Sequence, residues 1–141
     1  MDFNLNDIKK SIVENLKVKL PSIVHRFADP PQGTYERPCI YIDYRDKKIS
    51  FEDSFFGMLK DAYTIGITIE NRSDETYNAV ETRSGQIDSL FYENEEITVY
   101  KFIGNKKLER YATLRVKQYR IVEGGKDREK NKIRADLIVI V

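Results

Sequence analysis

The stretch "DAYTIGITIEN" constrains the fold more than any other in the chain. Tyr63, Ile65, Ile67 and Ile69 alternate with Thr64, Gly66, Thr68 and Glu70. A period of two fits only extended backbone, and an apolar row opposite a polar one predicts a strand with one face on a core. Such a strand needs partners. "CIYIDYR" supplies one, with Ile40, Ile42 and Tyr44 opposite Cys39, Tyr41 and Asp43. "KKISFED" and "SIVHRF" read as two further short strands, and "ITVYKFI" as another, closed by the turn "GNKK". The runs from Tyr111 to Val122 and from Ile133 to Val141 complete the sheet.

Two helices interrupt this pattern. Ile8, Ile12, Leu16 and Leu20 repeat every four residues, with Val13 beside them, so an amphipathic helix is expected between an Asn6 cap and Pro21. A second is expected behind Ser73, with Asp74 and Glu75 in its first turn. Its buried stripe would be Tyr77, Val80, Ile87, Leu90 and Phe91. Between the first helix and "CIYIDYR", "ADPPQGTYERP" is loop by composition. Strands grouped around two helices and joined by short turns favour antiparallel pairing. The expectation is an α+β fold: a mixed, mostly antiparallel sheet with two helices packed on one face and a long terminal β-hairpin. No repeat or linker divides it, so residues 1–141 read as a single domain, long enough to bury one core.

Composition narrows the function classes. Twenty-four basic side chains against 23 acidic ones leave a net charge of +1, without the one-sided field of a nucleic-acid binder. No run approaches the roughly 20 apolar residues of a membrane span. "MDFNLNDIKKSI" carries acids and amides ahead of any apolar run and does not read as a signal peptide. Cys39 is the only cysteine, so no intramolecular disulfide forms, which fits a reducing interior.

No enzyme site emerges, and neither a cofactor nor a metal is expected. His25 is the only histidine, which excludes His pairs, and a lone strand histidine reads as a packing residue. Cys39 reads as a small buried hydrophobe rather than a nucleophile. Asp43 with Asp46, and Glu52 with Asp53, match no metal-loop pattern and read as solvated acids near strand ends. "EGGKDREK" lacks the spacing and the Ser/Thr of a phosphate loop. One nucleic-acid reading stays open: strict alternation in "LRVKQYR" would put Arg115, Lys117 and Tyr119 on one strand face, where basic and aromatic side chains can stack bases. Interspersed acids such as Glu109 and Asp136 weigh against it. Nine tyrosines suit a protein interface equally well, since each adds area at small entropic cost.

The segment from Glu123 to Lys132 is a puzzle. It is charge, glycine and amide almost throughout, where a hairpin normally closes in about two to five residues. Taken in order, the helix "LNDIKKSIVENLKVKLP", the strand "ERPCIYIDY", "AYTIGITIE", the helix "SDETYNAVETRSGQIDSLF" and "ATLRVKQYRIV" with its apolar terminal partner offer a context. Together they resemble the small tail-terminator proteins of tailed phages and of prophages from Gram-positive bacteria.

The resemblance spans about Asn6 to Val141. It implies a structural subunit of a virion or phage-tail-like particle, assembled in the bacterial host cytoplasm as a homo-hexameric ring. That ring would cap the tail tube, stop its polymerisation and dock the neck or head-completion protein. Its partners would be itself, the tail tube protein, the neck, and the sheath protein if the tail contracts, with no membrane and no sequence-specific nucleic acid. A head–tail joining protein is the neighbouring alternative. Within this picture Lys126, Asp127, Arg128, Glu129 and Lys130 would contact a neighbouring subunit or the tube, and ordering on assembly would limit premature association. "KISFEDSFFGML" is the second candidate: Phe55, Phe56 and Met58 are costly to expose on a monomer, and core packing is the alternative for them.

Overall fold

The computed structural model describes residues 4–50, 60–123 and 132–140. It is an α+β fold in which a six-stranded sheet curls around one helix, with a second helix packed on the same face. The elements are α1 (Leu5–Lys19), β1 (His25–Phe27), β2 (Cys39–Ser50), β3 (Lys60–Glu70), α2 (Tyr77–Asp88), β4 (Glu96–Ile103), β5 (Lys106–Glu123) and β6 (Lys132–Ile140). The sheet order is β1-β2-β3-β6-β5-β4. Only β1 runs parallel to its neighbour; every other pairing is antiparallel.

The alternation of β3 decides the core. Ile40 and Ile42 lie opposite Ile69 and Ile67, which in turn lie opposite Ile133 and Ala135 of β6. Leu137 pairs with Ile65 on one side and Tyr119 on the other. These rows meet Ile8, Ile12 and Leu16 of α1 and Ile87 of α2 in one cluster. The residues expected as two strands, "CIYIDYR" and "KKIS", form the single strand β2 with an irregularity between Tyr44 and Asp46. An extra residue bends a strand without ending it.

Both helix starts differ from expectation. α1 begins two residues earlier, with the Asn4 side chain accepting from the Asn6 N–H. α2 is capped by Thr76, whose Oγ1 accepts from Ala79 N at 3.2 Å, and no acid lies in its first turn. The acids are used just outside it: Asp74 takes a two-pronged grip from Arg72, and Glu75 pairs with Arg83 at 2.7 Å. Capping needs only one oxygen near the free amides, so the competing arginines decide which residue supplies it. Tyr77, expected in the buried stripe, is exposed.

The sheet's two edges are treated differently. β4 is covered by α1: the N–H groups of Tyr100 and Phe102 donate to Ser11 Oγ (3.0 Å) and Asp7 Oδ1 (3.1 Å). Unpaired edge amides invite foreign strands, and two side chains of one helix occupy these. β1, at the other edge, is three residues long. The curl brings both edges to α1, so that Arg26 of β1 and Phe102 of β4 line a common cleft.

Candidate interaction surface

Glu70 ends the outward row of β3, in a position that a period-two pattern assigns to solvent. It is instead 2% exposed. A buried carboxylate needs donors and countercharge, and three segments supply them. Tyr35 Oη donates to Glu70 Oε2 at 2.5 Å, from the loop before β2. Arg37 stands at 3.8 Å, and Lys132, the first residue of β6, at 3.4 Å. The Cys39 thiol lies 3.9 Å away and donates to the same oxygen. Arg37 also lies over the Tyr35 ring, 4.7 Å from its centroid, and its peptide to Pro38 is cis. Glu70 thus ties the proline-bearing loop to the base of the β5–β6 hairpin.

The carboxylate marks its neighbours. Its hydrogen bond raises the Tyr35 hydroxyl above the ordinary phenol range. Burial, reinforced by the Glu70 charge, pushes the Cys39 thiol up to about 11. An unfolded thiol ionises near pH 8.5. Below that pH the thiol's contribution to stability is fully present. Between about 8.5 and 11 the unfolded chain loses a proton that the folded one keeps, so stability falls as pH rises. Cys39→Ala is expected to remove a slope of at most about 1.4 kcal/mol per pH unit over the lower part of this window, before tyrosines titrate. At pH 8 iodoacetamide should label native Cys39 at least about a hundredfold more slowly than the unfolded chain. Comparable rates would mean the thiol is neither buried nor held neutral.

Beside this cluster, residues 34–37 and 72–74 bound an open groove of about 680 Å³. Its walls mix Arg37 and Arg72 with Glu36 and Asp74, and no single sign prevails. The outward sheet face continues that pattern: Arg120 lies opposite Asp136, and Arg115 opposite Glu96. Opposite charges across an antiparallel pair are mutually stabilising, and a surface of alternating sign favours selective contact over indiscriminate adhesion.

The expected nucleic-acid face does not form. A bulge at Lys117, between the pairs Val116–Val139 and Gln118–Ile138, reverses the alternation of β5. Arg115 therefore stays on the outward face while Tyr119 turns to the core side. There its ring meets Phe91 edge-on at 5.3 Å and its hydroxyl donates to the Ile87 carbonyl. Burial raises the Tyr119 hydroxyl well above its usual range. Arg115, Lys117 and Tyr119 do not form one stacking surface.

Lys126, Asp127, Arg128, Glu129 and Lys130, and likewise Phe55, Phe56 and Met58, lie outside the described residues. The strands flanking them are described. Ala62, near the start of β3, pairs with Ile140, near the end of β6, whereas Glu70 pairs with Lys132. The β2–β3 and β5–β6 connections therefore leave the sheet at opposite ends. His25 is half-buried in β1 and Cys39 fully buried in β2. Among the described residues no group of His, Cys, Asp and Glu is placed to hold a metal ion, and no helix is long and apolar enough to cross a membrane. The convergence of Tyr35, Arg37 and Lys132 on Glu70 has no signal in the sequence, because its members are separated by up to 97 positions and meet only through strand pairing.

No protein-family model matches the chain, and no curated protein matches it.

Proposed function

We propose that this chain is a structural subunit of a phage or phage-tail-like particle that forms a ring on the tail tube, ends its polymerisation and presents a surface to the neck. One observation carries the reading: two long hairpins, β2–β3 and β5–β6, lie side by side in one sheet and close at its opposite ends. A capping ring needs unlike contacts above and below, and each subunit must meet its neighbours through two different patches. Connections that leave opposite ends of one sheet suit both demands. The mixed-charge outward face favours register-specific contact between subunits. No bond is made or broken in this function; the ring competes by shape for the growing end of the tube. Partners on this reading are further copies of the chain, the tube protein, the neck protein and, where the tail contracts, the sheath.

The test is electron microscopy of induced particles from which the gene has been deleted. Overlong, ragged tubes are the expected result. Tails of normal length that fail to join heads would overturn the capping role and assign the protein to the head–tail joint. Normal particles would overturn both.

A further inference from the structure

We infer that copies of this chain join head to tail by strand pairing: the edge of β5 beyond Val116 in one copy receives the edge of β2 beyond Tyr41 in the next. The inference rests on the ring reading above and names the joint between its subunits. The stagger of the sheet carries it. β1 pairs only with residues 39–41 of β2, although β2 continues to Ser50. On the far side, β4 pairs with β5 from Lys106 to Arg115, and the turn before β4 holds Val116, whose N–H donates to the Glu95 carbonyl at 2.8 Å. β5 then runs on to Glu123. Among the described residues no strand pairs with the outer side of β2 after Tyr41, nor with the β4 side of β5 after Val116. A strand edge without a neighbour presents N–H and C=O groups on which another strand can pair.

The two half-edges suit each other. Three antiparallel pairings separate β2 from β5, so the two strands run in opposite directions, and a second copy set alongside in the same orientation brings them together antiparallel. They also stand at the same height. One cross-strand row runs Ile42, Ile67, Ala135, Ile121, and the next runs Asp43, Gly66, Asp136, Arg120. In a level joint Ile121 therefore falls opposite Ile42 of the next copy, both on the core side of their sheets. Arg120 falls opposite Asp43 of the next copy, on the outward side. Opposite charges directly across an antiparallel pair are stabilising, and a slip of one residue would set an apolar row against a charged one. The remaining two corners do not compete, because the curl draws β1 and β4 together over α1. The edges that meet are different surfaces of the chain, so the contact is heterologous, and a heterologous contact closes into a ring when its rotation divides a full turn. The twist between neighbouring strands supplies a rotation at each joint.

The experiment places Asp43→Cys and Arg120→Cys in one gene, induces particle formation, oxidises the lysate and detects the chain on a non-reducing denaturing gel. Directly opposed residues of an antiparallel pair lie about 4.5–5.5 Å apart at Cα, within reach of a disulfide. The double variant is expected to give a ladder of covalent multimers. Either single variant, like the parent with its buried Cys39, should remain a single band. A dimer from a single variant alone would mean a two-fold contact and overturn the joint. No ladder from a soluble double variant whose tails have normal length would also overturn it, while leaving the ring reading intact. A ladder combined with tail lengths indifferent to deletion of the gene would support the joint and overturn the ring reading. Should the double variant fail to fold, charge reversal decides: Arg120→Glu should give overlong tubes, and Arg120→Glu with Asp43→Lys should restore normal length. Normal length in Arg120→Glu alone, or no recovery in the pair, would overturn the joint.

Discussion

Leu137→Ala is expected to lower the unfolding free energy by about 2–5 kcal/mol. Leu137 is fully buried on β6, an interior strand, and shares a cross-strand row with Ile65 and Tyr119. Truncation removes three side-chain carbons from water-free surroundings and leaves a void that neighbouring strands, held by ladder hydrogen bonds, cannot close. Urea denaturation followed by circular dichroism reads the change as a lower midpoint at unchanged slope. Ile103→Ala is the control, since Ile103 sits 71% exposed near the β4–β5 turn and should change stability by no more than about 0.5 kcal/mol. Equal effects at the two positions would refute the assignment of the core to this sheet face.

Asp7→Ala is expected to cost about 1.5–3 kcal/mol, the range for a hydrogen bond to a charged group. The Asp7 carboxylate is 8% exposed. It accepts from Phe102 N at 3.1 Å and from Tyr111 Oη at 3.3 Å, and its place in the first turn of α1 suits the helix dipole. Its larger consequence concerns assembly. Together with Ser11→Ala, which frees the Tyr100 amide, the substitution opens the β4 edge to pairing with foreign strands. The double variant should associate in a concentration-dependent way by light scattering at concentrations where the parent does not. Asp7→Asn retains an acceptor and should recover at least half of the lost stability. If alanine and asparagine at this position both behave as the parent does, α1 is not what protects the edge.

That edge bears on the proposed function. A subunit meant to associate only in a ring gains from blocking unspecific sheet extension, and α1 blocks it at β4 while the other edge is cut to three residues. On the proposed function, the charged outward face would then carry contacts whose register can be specified.

Much of this architecture is legible without coordinates. A strand with Ile65, Ile67 and Ile69 on one side can bury only that side, and α1, with Ile8, Ile12 and Leu16 on one stripe, can bury only that stripe. Periodicity is local: it is written in neighbours two to four residues apart and survives any choice of partner. The α+β class, both helices and the apolar rows of β3 and α1 follow from it. What the tertiary structure decided depends on residues far apart in the chain. The bulge at Lys117 arises from how β5 pairs with β6, and it moves Tyr119 from an expected binding face into the core. Glu70 reads as an exposed strand end until Tyr35, Arg37 and Lys132 are folded onto it. Burial of a polar group is a property of everything packed around it, and no local pattern encodes that.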